Sequence, residues 1–166
     1  KTNLQTRSVG VSMSPGSIPA TGKPTFELDD DKVGLGMGIH GEQGVGEIPM
    51  TTADELTPQI IDLIFQDFDD DTDVEALTEG DEVIVFVNSL GSTTMMELLI
   101  CLRKAKEILN ERGIKVYDVL TGPLVTCQEM SGISFSFTRV DDELKAAWDM
   151  PCQSNCFSKM EGRYGG

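Results

Sequence analysis

The sequence is poor in basic residues. It has 13 Lys and Arg against 28 Asp and Glu, a formal net charge of −15 over 166 residues. A surface of this sign repels nucleic-acid phosphates and anionic lipid headgroups, so neither nucleic acid nor a membrane is an expected partner. No run of 18 apolar residues occurs, so no transmembrane helix is expected. The length fits one domain, and residues 1–166 are predicted to form a single one.

Histidine and cysteine are also scarce. His40 is the only histidine, and the four cysteines are widely spaced except for Cys152 and Cys156. A zinc site needs paired C-x2-C units or histidine partners, so no metal site is predicted. The cysteines are interpreted as reduced thiols of a cytoplasmic protein, with a metal or disulfide role as the alternative. The chain begins at Lys1 without a signal peptide, and we expect a longer parent protein.

Apolar periodicity predicts two long amphipathic helices. Thr52 and Glu55 form a capping box, and apolar residues then recur at steps of four as far as Phe68. The acidic run 67–73 is predicted to be an exposed loop. A second helix is predicted over 93–112 and ends at Gly113, a residue favoured just after a helix. A short helix is predicted over 141–148, and the tail 153–166 is expected to be loosely ordered.

The remaining apolar segments read as short strands, predicted over 8–13, 25–28, 33–40, 83–87, 114–120 and 132–140. The strand–helix–strand order from Val83 to Leu120 implies at least one parallel pair. The predicted fold is therefore α/β, of the α+β type. It is a two-layer mixed β-sheet of about six strands with helices packed on one face.

Six glycines lie between Gly34 and Gly46, and Gly36-x-Gly38-x-x-Gly41 matches the dinucleotide-binding pattern. That pattern requires a helix directly after it, because the helix N-terminus holds the pyrophosphate. Here two more glycines and Pro49 follow, so no nucleotide is expected on this segment. The turn 88–94 precedes a helix but lacks the lysine of a P-loop. It is interpreted as an ordinary turn, although a helix N-terminus bordering a pocket stays possible.

His40 closes the predicted glycine-rich strand. Glycines leave open space beside the imidazole, and a neutral imidazole acts as a base or as a nucleophile toward a carbonyl carbon. No serine or cysteine pairs with it by spacing, so a triad is unsupported. The alternative is a surface or core histidine without a chemical role.

The segment Gly36-Met37-Gly38-Ile39-His40-Gly41-Glu42-Gln43-Gly44 resembles the G-x-G-I-H-G-E-x-G signature of the substrate-binding subunit of dihydroxyacetone kinases. The departure is Gln43, where that signature usually has proline. Further similarity covers nearly the whole chain. It includes Thr6–Val11, Ile18–Pro19, Gly22–Pro24, Val85–Gly91, Glu97–Leu98, Met130–Ser134, Asp141–Glu143 and Trp148–Pro151.

The resemblance implies that His40 attaches covalently to the ketone carbon of dihydroxyacetone as a hemiaminal, and that Gly38 and Gly41 border the substrate. Such a site selects a ketone over glycerol, which has no carbonyl. Fixing the substrate in this way makes phosphoryl transfer to its hydroxyl a positioned reaction. The chain would then be the C-terminal domain of a longer substrate-binding subunit in glycerol metabolism.

The same resemblance implies which parts lie elsewhere. An Asp and a second His that handle the attacking hydroxyl belong to a missing N-terminal domain. The cofactor, ATP or ADP with Mg, belongs to a separate nucleotide-binding domain or subunit. In one branch of the family the phosphotransferase system phosphorylates a bound ADP, and in another ATP is used directly. This fragment alone would not turn over substrate. The intact subunit is expected to be a homodimer.

Two other functions are compatible with the residues. A related co-activator would bind dihydroxyacetone as a sensor without phosphorylating it, with His40 in the same role. Distant relatives of this fold bind fatty acids, but the polar glycine face and His40 argue against an apolar lipid tunnel here.

Overall fold

A computed structural model describes residues 1–39 and 44–160 of the chain. After a short 3₁₀ turn at Thr2–Gln5, the elements follow in this order: β1 (Thr6–Ser14), β2 (Lys32–Leu35), β3 (Gly46–Pro49), α1 (Ala53–Asp70), β4 (Glu82–Ser89), α2 (Met95–Glu111), β5 (Lys115–Gly122), β6 (Ser131–Arg139), α3 (Asp142–Trp148), β7 (Cys152–Gln153) and β8 (Ser158–Lys159). No described helix has the length and apolar character needed to cross a membrane.

Six strands form one mixed sheet in the order β3-β2-β1-β6-β4-β5. The β4–β5 pair is parallel and is joined through α2, as the strand–helix–strand pattern predicts. Every other neighbouring pair in this sheet is antiparallel. This architecture confirms the predicted two-layer α/β fold, with about six strands and helices on one face.

The core lies between the sheet and helices α1 and α2, on what we call the core face of the sheet. Large side chains that are completely buried fill it: Val11, Ile60, Ile61, Ile64, Phe68, Val85, Val87, Leu109, Phe135 and Phe137. Both long helices begin with the same Thr-x-x-Glu capping box, as predicted for the first. In α2 the Glu97 carboxylate accepts from the Thr94 backbone N–H at 2.8 Å.

Two strand predictions need correction, and one strand is missing from the prediction. The predicted strand 25–28 is wrong, because these residues belong to no strand and only the preceding Pro24 makes an isolated bridge, to Ser17. The predicted strand 33–40 ends at Leu35, since Gly36 has a φ of +71° and turns the chain out of the sheet. Strand β3 is absent from the prediction, and it pairs antiparallel with β2, from which residues 36–45 separate it.

Two segment boundaries also differ from the sequence prediction. Helix α1 continues to Asp70, so the acidic run 67–73 is helical over its first half. Part of the tail expected to be loosely ordered forms the β7–β8 hairpin. Residues 161–166 of that tail lie outside the described part of the chain.

Candidate functional site

A groove of about 920 Å³ lies on the opposite side of the sheet from α1 and α2. We call this side the groove face. Strand alternation places small and polar residues there, because residues two apart along a strand share a face. Register aligns the residues of this face in two rows across four strands, Gly10–Ser134–Asn88–Gly122 and Ser8–Ser136–Phe86–Leu120, and only Phe86 and Leu120 among them are large and apolar.

The floor of the groove is more polar than its walls. Ser8, Ser134, Ser136 and Asn88 supply hydroxyl and amide groups on the floor. The walls are mainly apolar and include Ile39, Leu90, Leu120, Leu124, Trp148 and Phe157. An apolar pocket with a few convergent polar groups is the usual form of a small-molecule site.

The glycine-rich segment reaches the groove by folding over the backbone of β1. The Gly36 N–H donates to the Gly10 carbonyl oxygen at 2.7 Å. A Cβ added to Gly10 would lie 2.8 Å from the Met37 carbonyl oxygen, closer than real Cβ contacts allow. The absence of a side chain at position 10 therefore lets the segment Gly36–Ile39 lie directly on the groove face.

Ile39 fixes the far end of this segment. Its side chain packs with Phe26 against a small separate core of Leu90, Cys127 and Met130. Leu90 and Met130 are almost completely buried. The residue before His40 is thus anchored in packed structure at the edge of the groove.

Of the site residues predicted from the sequence, some lie within the described part of the chain and others lie outside it. Gly38 lines the groove, and its contact with substrate stays a prediction. His40 and Gly41 lie outside the described residues. The described lining of the groove contains no Lys or Arg, and therefore no cation to bind a triphosphate.

The segment after the glycine pattern agrees with the rejection of a dinucleotide site. Residues 46–49, which the fingerprint would place in a helix, form strand β3. Within residues 1–39 and 44–160, no three His, Cys, Asp or Glu side chains are grouped to hold a metal ion. All four cysteines are free thiols.

The turn between β4 and α2 is hydrogen-bonded to the start of β6. The Thr93 hydroxyl donates to the Gly132 carbonyl oxygen and accepts from the Gly132 N–H. The Glu97 carboxylate lies at the N-terminus of α2, where hydrogen bonds from the hydroxyl and then the backbone of Thr94 lower the pKa of Glu97. A carboxylate at this position repels a phosphate, so the interpretation as an ordinary turn fits the geometry.

Asn88 holds one wall of the groove in place. Its Oδ1 accepts from the backbone N–H groups of Leu124 and Val125 at 2.8 and 2.9 Å. Its Nδ2 donates to the Val125 carbonyl oxygen at 2.8 Å and to Ser134 Oγ at 3.1 Å. One buried amide therefore joins the 122–127 loop to the floor.

The opposite wall is formed by Trp148, whose ring meets Phe86 edge-on at 5.7 Å. The indole N–H donates to Asp118, and Lys159 Nζ lies 4.1 Å from the indole centroid. Lys159 belongs to the β7–β8 hairpin, so this contact holds the hairpin against the wall. The hairpin in turn places Phe157 on the rim of the groove.

Sequence reasoning identified the glycine segment but missed the groove around it. Ser134 and Asn88 are not among the predicted site residues, although Asn88 begins the predicted turn 88–94. The available signal was strand parity, since Ser134 and Ser136 alternate with Phe135 and Phe137. Parity gives the face of a strand but not which face a ligand uses.

Comparison with known proteins assigns the family. Residues 1–156 match the Dak1 domain. A PTS-dependent dihydroxyacetone kinase subunit from Listeria innocua, the dihydroxyacetone-binding subunit DhaK, is 38% identical over 157 residues. The match covers 95% of this chain and 45% of that relative. The chain therefore spans less than half the length of this relative.

Solved structures share the fold. The native form of the dihydroxyacetone kinase of C. freundii superposes with a TM-score of 0.74 at 20% identity, over 99% of this chain and 31% of that one. The dihydroxyacetone kinase operon co-activator Dha-DhaQ superposes with a TM-score of 0.71 at 25% identity, over 87% and 42%. With the domain match extending over nearly the whole sequence, the chain belongs to the Dak1 domain family.

Proposed function

We propose that this chain is the substrate-holding domain of a dihydroxyacetone kinase, and that His40 captures the substrate covalently. The observation that carries the proposal is the path of the segment Gly36–Ile39. It lies on the groove face and ends, at an anchored Ile39, one residue before the only histidine of the sequence. Family membership supports a dihydroxyacetone ligand, because the Listeria relative is a dihydroxyacetone-binding subunit.

The capture step is an addition to a ketone. A lone pair on an imidazole nitrogen of His40 forms a bond to the carbonyl carbon, and the π pair of the C=O bond moves to oxygen. The proton carried by the imidazole ends on that oxygen, which leaves a neutral hemiaminal with a tetrahedral carbon. Gly38, and Gly41 in the same motif, would let the three-carbon ligand approach the backbone closely.

Phosphoryl transfer then requires groups outside this chain. The described groove lining has no cation, so we place ATP, or ADP with Mg, on a separate domain or subunit. The groups that handle the attacking hydroxyl belong in this proposal to an N-terminal domain of the same subunit. Holding the ketone in one place converts the transfer into a reaction between positioned groups.

The experiment that tests this proposal uses dihydroxyacetone labelled with carbon-13 at the carbonyl. Bound to the full-length subunit, it should give a carbon NMR signal in the tetrahedral region that travels with the protein. The His40→Ala variant should lose this signal while its circular dichroism spectrum stays unchanged. Glycerol has no carbonyl and should not displace the bound ligand.

Free dihydroxyacetone also hydrates to a tetrahedral carbon, so the comparison with His40→Ala decides the outcome. A protein-bound signal that persists in the variant would assign the capture to another residue. A folded wild-type protein that binds the ketone without a tetrahedral signal would contradict covalent capture.

A co-activator that binds the ketone without transferring phosphate is the second candidate. The structural similarity to the co-activator Dha-DhaQ favours it. The two functions share ligand capture and differ in turnover. Formation of dihydroxyacetone phosphate by the full-length subunit with its phosphoryl donor would support the kinase, whereas capture without product would support the co-activator.

Assembly and location complete the proposal. We propose a homodimer of the intact subunit in the cytoplasm, where four free cysteines stay reduced. Light scattering on the full-length subunit tests the assembly, and a monomer mass would contradict the homodimer.

A further inference from the structure

The side chain of Asn88 fixes the hydrogen-bond direction at Ser134. Because Oδ1 of Asn88 accepts from two backbone N–H groups, its amide orientation is determined and Nδ2 must face Val125 and Ser134. The two Nδ2 protons are then used by the Val125 carbonyl oxygen and by Ser134 Oγ. All the ordinary hydrogen-bonding positions of this amide are occupied.

This arrangement leaves the hydroxyl proton of Ser134 available. A serine hydroxyl donates one hydrogen bond and accepts up to two, and here Asn88 takes one accepting position. Among the described residues, no protein acceptor for the Ser134 proton is present. The half-buried hydroxyl lines the groove, so its proton is free to be donated to a ligand there.

Ser134 is also the floor hydroxyl nearest the glycine segment in strand register. It pairs with Gly10 on β1 and with Asn88 on β4. The Met37 carbonyl oxygen lies against Gly10, and a Cβ at Gly10 would be 3.8 Å from the Ser134 Cβ. Met37 and Ser134 therefore both lie within 4 Å of the same position above Gly10.

We propose that Ser134 is a specificity-determining residue that donates a hydrogen bond to a hydroxyl oxygen of the captured ketone, with Asn88 as its positioning residue. This inference rests on the proposed function and deepens it. It assigns the recognition of hydroxylated ketones over apolar ketones of the same size to one side chain on the groove floor.

The test compares two ligands of equal size on the full-length subunit. Pentan-3-one has the heavy-atom count of dihydroxyacetone but carries methyl groups in place of both hydroxyls. In Ser134→Ala, the affinity for dihydroxyacetone should fall about 3- to 10-fold, the usual effect of one lost hydrogen bond, and that for pentan-3-one should stay unchanged. Calorimetric titration gives both dissociation constants.

Thr138→Val is the matched control. Thr138 lies on the same face of β6 and its hydroxyl pairs with Thr6 at 2.9 Å, but it does not line the groove. This variant also loses one hydroxyl and should keep the wild-type ratio of the two affinities. Equal losses for both ligands in Ser134→Ala, or no loss for either, would overturn the proposal.

Asn88→Asp tests the positioning role separately. A carboxylate at position 88 accepts but cannot donate, so the Ser134 hydroxyl would turn its proton toward it and away from the ligand. The ratio of the two affinities should then change in the same direction as in Ser134→Ala. A folded Asn88→Asp variant with the wild-type ratio would overturn the role of Asn88.

The two proposals fail in different ways. A wild-type protein that prefers dihydroxyacetone but gives no tetrahedral carbon signal would contradict capture by His40 and leave the Ser134 comparison intact. A tetrahedral signal with no effect of Ser134→Ala on the affinity ratio would contradict only the role of Ser134. Absence of binding by either ketone would contradict both.

Discussion

The two faces of the sheet use alternate residues of the same strands for opposite purposes. On β6, Phe135 and Phe137 are completely buried against the helices, whereas Ser134 and Ser136 line the groove. On β1, Val11 is buried on the core face, whereas Gly10 faces the groove and has no side chain to block the backbone at Met37. Large side chains exclude water on one face, and small ones make room for the crossing chain and the groove on the other. Strand parity therefore separates the packed core from the face of the proposed ligand site.

The largest expected effect comes from emptying the core face. Phe137→Ala should lower the free energy of unfolding by about 3–5 kcal/mol, because it removes a buried ring and leaves a cavity. Its neighbour on the groove face, Ser136, accepts a hydrogen bond from Ser8 at 2.6 Å. Ser136→Ala should cost less than about 1 kcal/mol. Urea unfolding of both variants checks the contrast, and similar losses would contradict the division between faces.

A smaller stability effect, joined to a binding effect, is expected on the groove face. Gly10→Ala would bring a Cβ against the Met37 carbonyl oxygen. The segment Gly36–Ile39 must shift, at a cost of about 1–3 kcal/mol, and the affinity for dihydroxyacetone should fall. Gly46→Ala is the control, since a Cβ there meets nothing within 4 Å. Thermal unfolding and ligand titration check the prediction, and equal stability and equal ketone affinity in the two variants would refute it.

A substitution that weakens a helix on the core face should lower stability without changing the affinity for the ketone. Thr94→Ala removes the hydroxyl of the capping box and should cost about 1 kcal/mol of stability with no change in ketone affinity. The pKa of Glu97 is lower in the folded protein than in the unfolded chain, so the ionised carboxyl stabilises the fold at pH values above its unfolded-state pKa. This stabilisation is lost as pH falls through the folded pKa.

The stability difference between wild type and Thr94→Ala should therefore shrink in acid. Unfolding measured at neutral pH and at successively lower pH values checks this trend. A difference that grew as the pH fell would contradict the assigned sign.

The smallest perturbation is chemical labelling of the cysteines, which compares buried thiols in the core with exposed thiols at the hairpin and needs no substitution. Cys101 and Cys127 are buried, and Cys152 and Cys156 are exposed. Burial also raises the pKa of the Cys101 thiol, which reduces its reactive thiolate fraction. A thiol reagent should label two cysteines quickly and two slowly in the native protein, and all four in denaturant. Four equal native rates would contradict the described burial.

Most of the fold follows from local patterns in the sequence. Steps of four from Leu56 to Phe68 and the apolar run at β4 each identify an element from the residues of one continuous segment. The glycine segment was misjudged because alternation from Val33 to Ile39 resembles a strand, while the turn at Gly36 depends on a contact with Gly10. Strand β3 has little apolar character, and only its pairing with β2 defines it.

The site was predictable only in part, for a related reason. The motif around His40 is contiguous, so its residue types are visible in the sequence. The groove is assembled from β1, β4, β5 and β6 together with the glycine-rich segment, the loop that follows β5, Trp148 and the β7–β8 hairpin. The contact between Asn88 and Ser134 joins residues 46 positions apart, and sequence spacing carries no record of it.

The position of Trp148 has a practical consequence. The sequence contains one tryptophan, and its indole forms a wall of the groove, in contact with Phe86 and below the Lys159 ammonium. All indole fluorescence of this chain therefore originates beside the proposed ligand. A molecule entering the groove changes the polarity around that single fluorophore, so the protein carries an intrinsic optical reporter and needs no attached dye.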